Sequence, residues 1–213
     1  RPGIDDKSGM LPPKLAKIMI NFSLSKKINY NITLLDPFCG SGTVLTEAAV
    51  MGYTNLFGSD ISEKAMLDTK KNLEWIINSY NLKTVNYKLK QADATELSQY
   101  FDDNCIEVIA TEPYLGKPLH GNESEAYLKK QSNELKELYT QAFQEFHKIL
   151  KPQGKVVIAI PKFKTKTGWV EIDCISDIEK SGFEIIPFED EKCLLYHRPN
   201  QHLGREIWRF RKV

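Results

Sequence analysis

Thr33-Leu34-Leu35-Asp36-Pro37-Phe38-Cys39-Gly40-Ser41-Gly42-Thr43 sets a short apolar run against an acid, a proline and two glycines one residue apart. The apolar half reads as a strand, and Gly42 to Met51 behind it, closed by Gly52, reads as a helix. In an open parallel sheet this first strand-to-helix turn lies at the carboxyl edge, where ligands bind, and its glycines let the backbone approach a ligand closely. The turn is therefore a candidate nucleotide cradle. On the glycines alone a tight connecting turn is the other reading. The phosphate-binding alternative is disfavoured, because the Gly-Lys-Ser/Thr ending of a P-loop and the third glycine of the dinucleotide fingerprint are both missing.

Alternation continues outward from that turn. Asn55 to Asp60, Val85 to Ala92, Cys105 to Thr111 and Val156 to Ile160 read as strands. Between them lie a helix from an N-cap at Ser62 to about Tyr80, with Met66, Thr69, Leu73, Ile76 and Tyr80 on one face, and a helix over Glu123 to Leu150. The second carries Leu135, Leu138, Ala142, Phe146 and Ile149 along one stripe and is stopped by Pro152 and Gly154. Ile172 to Ser181 is a helix ended by Gly182, and Phe183 to Phe188 and Arg205 to Phe210 are the last two strands. Upstream, Leu11, Leu15, Ile18 and Phe22 recur at helical spacing with Pro12 and Pro13 near the first turn. Such alternation predicts an α/β fold with helices on both faces of a largely parallel sheet.

The chain has 213 residues, 29 Lys+Arg against 28 Asp+Glu, and 41% hydrophobic residues, which fits one globular domain. Near-zero net charge excludes a protein held on nucleic acid by bulk charge, so any such contact is a local patch. Its apolar runs are far shorter than the roughly 18 residues a bilayer span needs, and the reading is a soluble, cytoplasmic protein. Cys39, Cys105, Cys174 and Cys193 form no Cys-x-x-Cys pair and read as reduced thiols. His120 and His147 are isolated, so no metal is expected. Residues 1–9 read as a linker end rich in Pro, Gly and Asp, as if cut from a longer chain, with one catalytic domain over 10–213.

Two further acids strengthen the cradle. Asp60 ends the second strand, where a carboxylate accepts both hydroxyls of a ribose, and Asp93 ends the third, within reach of an adenine amino group. Since acids at strand ends commonly serve as helix caps, either alone reads rather as a cap. Acids at three successive strand ends do not.

Asp36-Pro37-Phe38-Cys39-Gly40-Ser41-Gly42-Thr43 resembles motif I of the S-adenosylmethionine-dependent amino-methyltransferases, and Thr111-Glu112-Pro113-Tyr114-Leu115-Gly116 resembles their Asp/Asn-Pro-Pro-Tyr motif. Within that group the chain is most similar to THUMP-associated tRNA guanosine N2-methyltransferases, through Gly9 to Ala16 as well. The resemblance implies a Rossmann-like, doubly wound, seven-stranded class I methyltransferase domain with a reversed last strand, binding S-adenosyl-L-methionine. It implies cofactor contacts from Asp36, Pro37, Phe38, Cys39, Gly40, Gly42, Thr43, Asp60, Ile61, Asp93 and Ala94. It also implies methyl transfer to an exocyclic amine, most often N2 of a tRNA guanosine, the alternatives being adenine or cytosine in DNA, or a binding protein that has lost catalysis.

An exocyclic amine is a poor nucleophile because its lone pair is delocalised into the ring, so it must be held in line with the methyl donor. Glu112 and the Pro113 carbonyl are the candidate acceptors for its two N–H bonds, and Tyr114 is the candidate ring to stack on the flipped base. The family motif reads Asp-Pro-Pro-Tyr-Gly; matching Gly116 to its glycine puts Glu112 on the acid, whereas matching Pro-Tyr puts Thr111 there. The glycine register leaves Cys105 to Thr111 as the strand.

Lys162, Lys164 and Lys166 follow the fifth strand, and the chain ends with His197, Arg198, His202, Arg205, Arg209, Arg211 and Lys212. These read as a phosphate grip or as solvated surface. No stretch is left over for a reader of the target, which predicts an upstream RNA-binding domain of the THUMP kind.

Overall fold

Leu34 and Leu35 are both fully buried, one against each face of a sheet in which their strand is central. In the computed structural model, residues 2, 11–23, 29–199 and 201–213 are described. The elements are α1 (Pro13–Ser23), β1 (Thr33–Asp36), α2 (Thr43–Val50), β2 (Asn55–Asp60), α3 (Glu63–Tyr80), β3 (Asn86–Gln91), β4 (Ile106–Thr111), α4 (Glu125–Ile149), β5 (Leu150–Lys164), β6 (Trp169–Val170), α5 (Ile175–Lys180), β7 (Phe183–Ile185), β8 (Cys193–Tyr196) and β9 (Leu203–Lys212). A 3-10 turn spans Leu97–Gln99.

Seven strands run in the order β3-β2-β1-β4-β5-β9-β7, with β6 added to β5 and β8 to β9. β3, β2, β1, β4 and β5 are parallel, and β9 runs antiparallel to both β5 and β7. The order reverses between β1 and β4, so a ligand crevice opens at their carboxyl ends. Side chains alternate across this sheet with period two: Val156, Ile158 and Ile160 pack with α4 and α5, while Val157 and Ala159 pack with α1, α2 and α3. That is why the Val156 to Ile160 run is apolar throughout. Among the described residues, no helix is long and apolar enough to cross a membrane.

Several expectations are corrected. The seven strands expected are the path β3-β2-β1-β4-β5-β9-β7, to which β6 and β8 are short additions on β5 and β9 that the sequence does not suggest. The inward face of α1 is Leu15, Ala16, Met19 and Ile20; Ile18 is exposed. Residues 1 and 3–10, which hold most of the expected linker end and the first two positions of the Gly9 to Ala16 likeness, lie outside the described residues. Tyr80 is exposed because an 18-residue helix, roughly 27 Å long, outreaches a six-residue strand of roughly 20 Å. Leu150 pairs with Ile106 straight after α4, and β5 resumes beside Val108 past an irregularity in which Gln153 has φ 64°. α4 starts at Glu125 because the Ser124 hydroxyl accepts the Tyr127 N–H at 3.2 Å. β7 stops at Ile185, two residues before a proline that has no N–H to donate.

Candidate active site

The turn from β1 to α2 is drawn tight by its own backbone, with the Gly42 N–H donating to the Cys39 carbonyl at 2.7 Å and the Cys39 N–H to Ser59 at 2.9 Å. Two glycines make this possible, at φ 51° for Gly40 and 82° for Gly42. They do different work. A Cβ on Gly42 would lie 3.0 Å from the Thr69 side chain, so this glycine lets α2 start against α3; it does not line the cavity. A Cβ on Gly40 would meet nothing within 4 Å, so its backbone faces open space. α3 fastens the turn further: Thr69 Oγ1 donates to the Gly40 carbonyl at 2.7 Å and Asn72 Nδ2 to the Ser41 carbonyl at 2.8 Å.

Asp60 links the second strand to the same turn. Its Oδ2 accepts the Gly40 N–H and its Oδ1 the Ser62 N–H, each at 2.9 Å. At the end of β3, Asp93 Oδ1 accepts from both the N–H and the hydroxyl of Thr95. Asp36 is 2% exposed, and its Oδ1 accepts the Thr111 hydroxyl at 2.6 Å and the Phe38 N–H at 3.3 Å. Burial pushes its carboxyl up to about 7 against those hydrogen bonds, with the charges of Asp60 and Glu112 adding to the rise. The Cys39 thiol is likewise driven well up, first by burial and then by Asp36.

A cavity of about 960 Å³ opens over this edge. It is lined by Asp36, Pro37, Phe38, Cys39, Gly40, Thr43, Asp60, Ile61, Asp93 and Ala94, and also by Glu112, Pro113 and Tyr114. Of the site residues expected from sequence, Gly42 alone is not on its wall.

β4 ends at Thr111, so Glu112 is the first residue past the strand. Arg205 Nε donates to Glu112 Oε1 at 2.5 Å, and both side chains are buried, at 8% and 11% exposure. Burial raises the Glu112 pKa, and the Arg205 charge opposes that rise. The loop beyond is held from α4. The buried Tyr139 hydroxyl donates to the Tyr114 carbonyl at 2.6 Å, and Gln131 Oε1 accepts the Lys117 N–H at 2.8 Å. Gly116, at φ 93°, passes so close to Gln131 that a Cβ would lie 2.8 Å from it. The Tyr114 ring is 54% exposed at the cavity wall.

Sequence reading missed Tyr139 and Gln131, which look like any other polar residues of an amphipathic helix. It counts Arg205 in a cationic cluster open to two readings, a phosphate grip or solvated surface, and the structure gives Arg205 a third place, buried on the cavity wall beside Glu112. The cluster is dispersed by the direction of β9. Arg205 lies near its start, at the ligand edge, while Arg211 and Lys212 lie at the far end, roughly 20 Å along the strand. There Arg211 pairs with Glu184, Lys212 donates to the Leu150 carbonyl, and Arg209 packs on the Phe188 ring. Lys162 is held between Glu171 and Glu206 at 2.7 and 2.8 Å. Lys164 and Lys166 are exposed. Among the described residues, no three His, Cys, Asp or Glu side chains gather as a metal site.

A family model described as an RMKL-like methyltransferase domain matches residues 4–172. The chain is 30% identical over 180 residues to the tRNA (guanine(10)-N2)-dimethyltransferase of Pyrococcus abyssi, covering 83% of this chain and 44% of that protein. It is 35% identical over 111 residues to the enzyme of the same name from Methanocaldococcus jannaschii, covering 51% of this chain and 29% of the relative. The chain thus spans less than half the length of these two relatives. Among solved structures, TrmN from Thermus thermophilus superposes with a TM-score of 0.64 at 19% identity, over 96% of this chain and 50% of that one, a likeness of fold.

Proposed function

This chain belongs to the RMKL-like methyltransferase domain family, and on that premise we propose that it methylates the N2 amine of a guanosine in tRNA, in the cytoplasm, with S-adenosylmethionine as donor. The observation that carries this reading is that Glu112 and Pro113, at the end of β4, share one cavity wall with the Gly40 turn, Asp60 and Asp93. The relatives named for guanine-N2 dimethylation supply the base.

The residues present fit a nucleoside-bearing donor. Gly40 offers open backbone at φ 51°, and Asp60 keeps acceptor capacity beyond the two N–H bonds it takes, which suits a ribose diol. Asp93 takes both of its bonds on Oδ1, which leaves Oδ2 for an adenine amino group. In this reading Pro37, Phe38, Cys39, Thr43, Ile61 and Ala94 line the cradle. Gly42 supports it from behind. When bound, the cofactor supplies an electrophilic sulfonium methyl.

The chain's own residues position the acceptor. Glu112 and the Pro113 carbonyl take the two N–H bonds of the amine, which fixes the nitrogen lone pair in one direction. As positive charge develops on nitrogen, the carboxylate stabilises it and takes the proton that leaves. Arg205 keeps the Glu112 side chain in one orientation, and Tyr139 does the same for the Tyr114 backbone. Tyr114 stacks on the base that has left its helix. With Lys162 and Arg205 engaged within the domain, we assign selection of the tRNA to a THUMP-like RNA-binding module upstream in the full protein.

The reading is tested by incubating the protein with S-adenosylmethionine and unmodified tRNA and separating the nucleosides by mass spectrometry. N2-methylguanosine or N2,N2-dimethylguanosine is the expected product. Methylated adenine or cytosine in place of these, or no product with tRNA at all, overturns it.

A further inference from the structure

Arg205 is bonded through one nitrogen only. A guanidinium carries five N–H donors; Nε is used on Glu112 Oε1, and its terminal nitrogens have no hydrogen-bond partner among the described residues. The side chain is nevertheless more than nine-tenths buried and stands on the cavity wall. These nitrogens are not sealed from solvent; a ligand that fills the cavity and displaces that solvent must bring an acceptor for them, since a buried donor left unpaired loses its full hydration.

Beside these donors stands an acceptor. Glu112 Oε1 is held by Arg205, and Oε2 has no hydrogen-bond partner among the described residues. The wall therefore offers a carboxylate and a guanidinium side by side, which suits a ligand edge with donors on one side and an acceptor on the other. Of the bases with an exocyclic amine, only guanine sets a second donor, N1–H, next to its amine and a carbonyl oxygen, O6, beyond it. Adenine and cytosine place a bare ring nitrogen next to the amine, which an anionic carboxylate disfavours.

We propose that Arg205 is a specificity-determining residue whose terminal guanidinium nitrogens donate to O6 of a guanine in the cavity while Glu112 engages the amine side of the same edge. This rests on the guanosine-N2 reading and deepens it. It also explains why the cation of this pair comes from β9: the reversed strand delivers Arg205 to the ligand edge from the side of β5 away from β4.

The test compares the full protein on two synthetic tRNA substrates, one with guanosine at the methylated position and one with 2-aminopurine there. The analogue keeps the amine and lacks both O6 and the N1–H beside it, so the part of the preference that belongs to O6 is the part that changes when Arg205 is replaced. The expected wild-type preference for guanosine is about 100-fold or more in kcat/KM, because a site built to bond a polar group rejects the analogue that lacks it. Arg205→Gln lowers turnover of guanosine at least about tenfold and of 2-aminopurine far less, so the preference collapses. If Arg205 only holds Glu112 in place, both substrates fall by the same factor and the preference survives, which overturns the proposal. Because Arg205→Gln leaves a buried carboxylate without its cation, Arg205→Lys is assayed beside it; keeping the charge but not the fork of donors, it also lowers the preference. A wild type that methylates 2-aminopurine as fast as guanosine overturns the proposal without any variant. That result leaves guanosine methylation intact, whereas methylation of adenine or cytosine instead would remove the underlying reading as well.

Discussion

Arg205 and Glu112, 93 residues apart in sequence, form a buried ion pair with Nε 2.5 Å from Oε1 on the wall of the cavity. Removing one partner of such a pair leaves an uncompensated charge in a low-dielectric setting, whereas removing both leaves none. Arg205→Met alone is expected to destabilise the domain by about 3 kcal/mol. Arg205→Met with Glu112→Gln is expected to be less destabilised than the sum of the two single changes. Urea denaturation of the four proteins at pH 8 checks this, and simple additivity would show that the pair is not coupled.

Asp36 makes stability depend on pH. Its carboxyl is pushed from 3.8 up to about 7 by burial, so between those values the folded protein holds a proton that the unfolded chain has released. Stability from this group is fully present below about pH 4 and is lost as pH rises through about 7, by up to about 4 kcal/mol. Asp36→Asn cannot titrate. The melting temperature of wild type relative to Asp36→Asn should therefore fall as pH is raised from 5 to 8. A constant difference across that range would contradict the assignment.

The two cradle glycines separate stability from binding. Gly42→Ala forces a side chain into φ 82° and to within 3.0 Å of Thr69, and is expected to destabilise by about 2 kcal/mol or more. Gly40→Ala meets only open space at φ 51°, so its folding penalty is about 1 kcal/mol. Its new methyl enters the cradle and should weaken binding of S-adenosylhomocysteine at least tenfold. Calorimetric titration with thermal melts of both variants distinguishes them; equal melting temperatures and equal affinities would mean that the two glycines are not specialised.

Much of this arrangement is legible in the sequence because it follows local rules. Thr33 to Asp36, the two glycines and the acid Asp60, which follows Gly40 by 20 residues, sit on one strand-turn-helix-strand unit, and period-two alternation marks Val156 to Ile160 as buried on both faces. What stayed hidden depends on long-range pairing. The clustered cations of the last strand look like a single patch until β9 is laid antiparallel to β5, which sends Arg205 to the ligand edge and Arg211 to the opposite one. Lys162 reads as an exposed cation because Glu206, its partner, is 44 residues away. The spacing of the larger apolar residues points α1 inward at Ile18, whereas Ala16 and Met19, packed between the sheet and α2, form the inward face.

The role given to Glu112 is the claim on which the rest depends, and single-turnover kinetics of Glu112→Gln test it most directly. The variant, loaded with S-adenosylmethionine and mixed with excess unmodified tRNA, should form N2-methylguanosine at least about 100-fold more slowly than wild type, while its affinity for the cofactor stays within about twofold, because contacts made in the transition state govern rate rather than ground-state binding. An unchanged methylation rate in a folded variant would contradict the account.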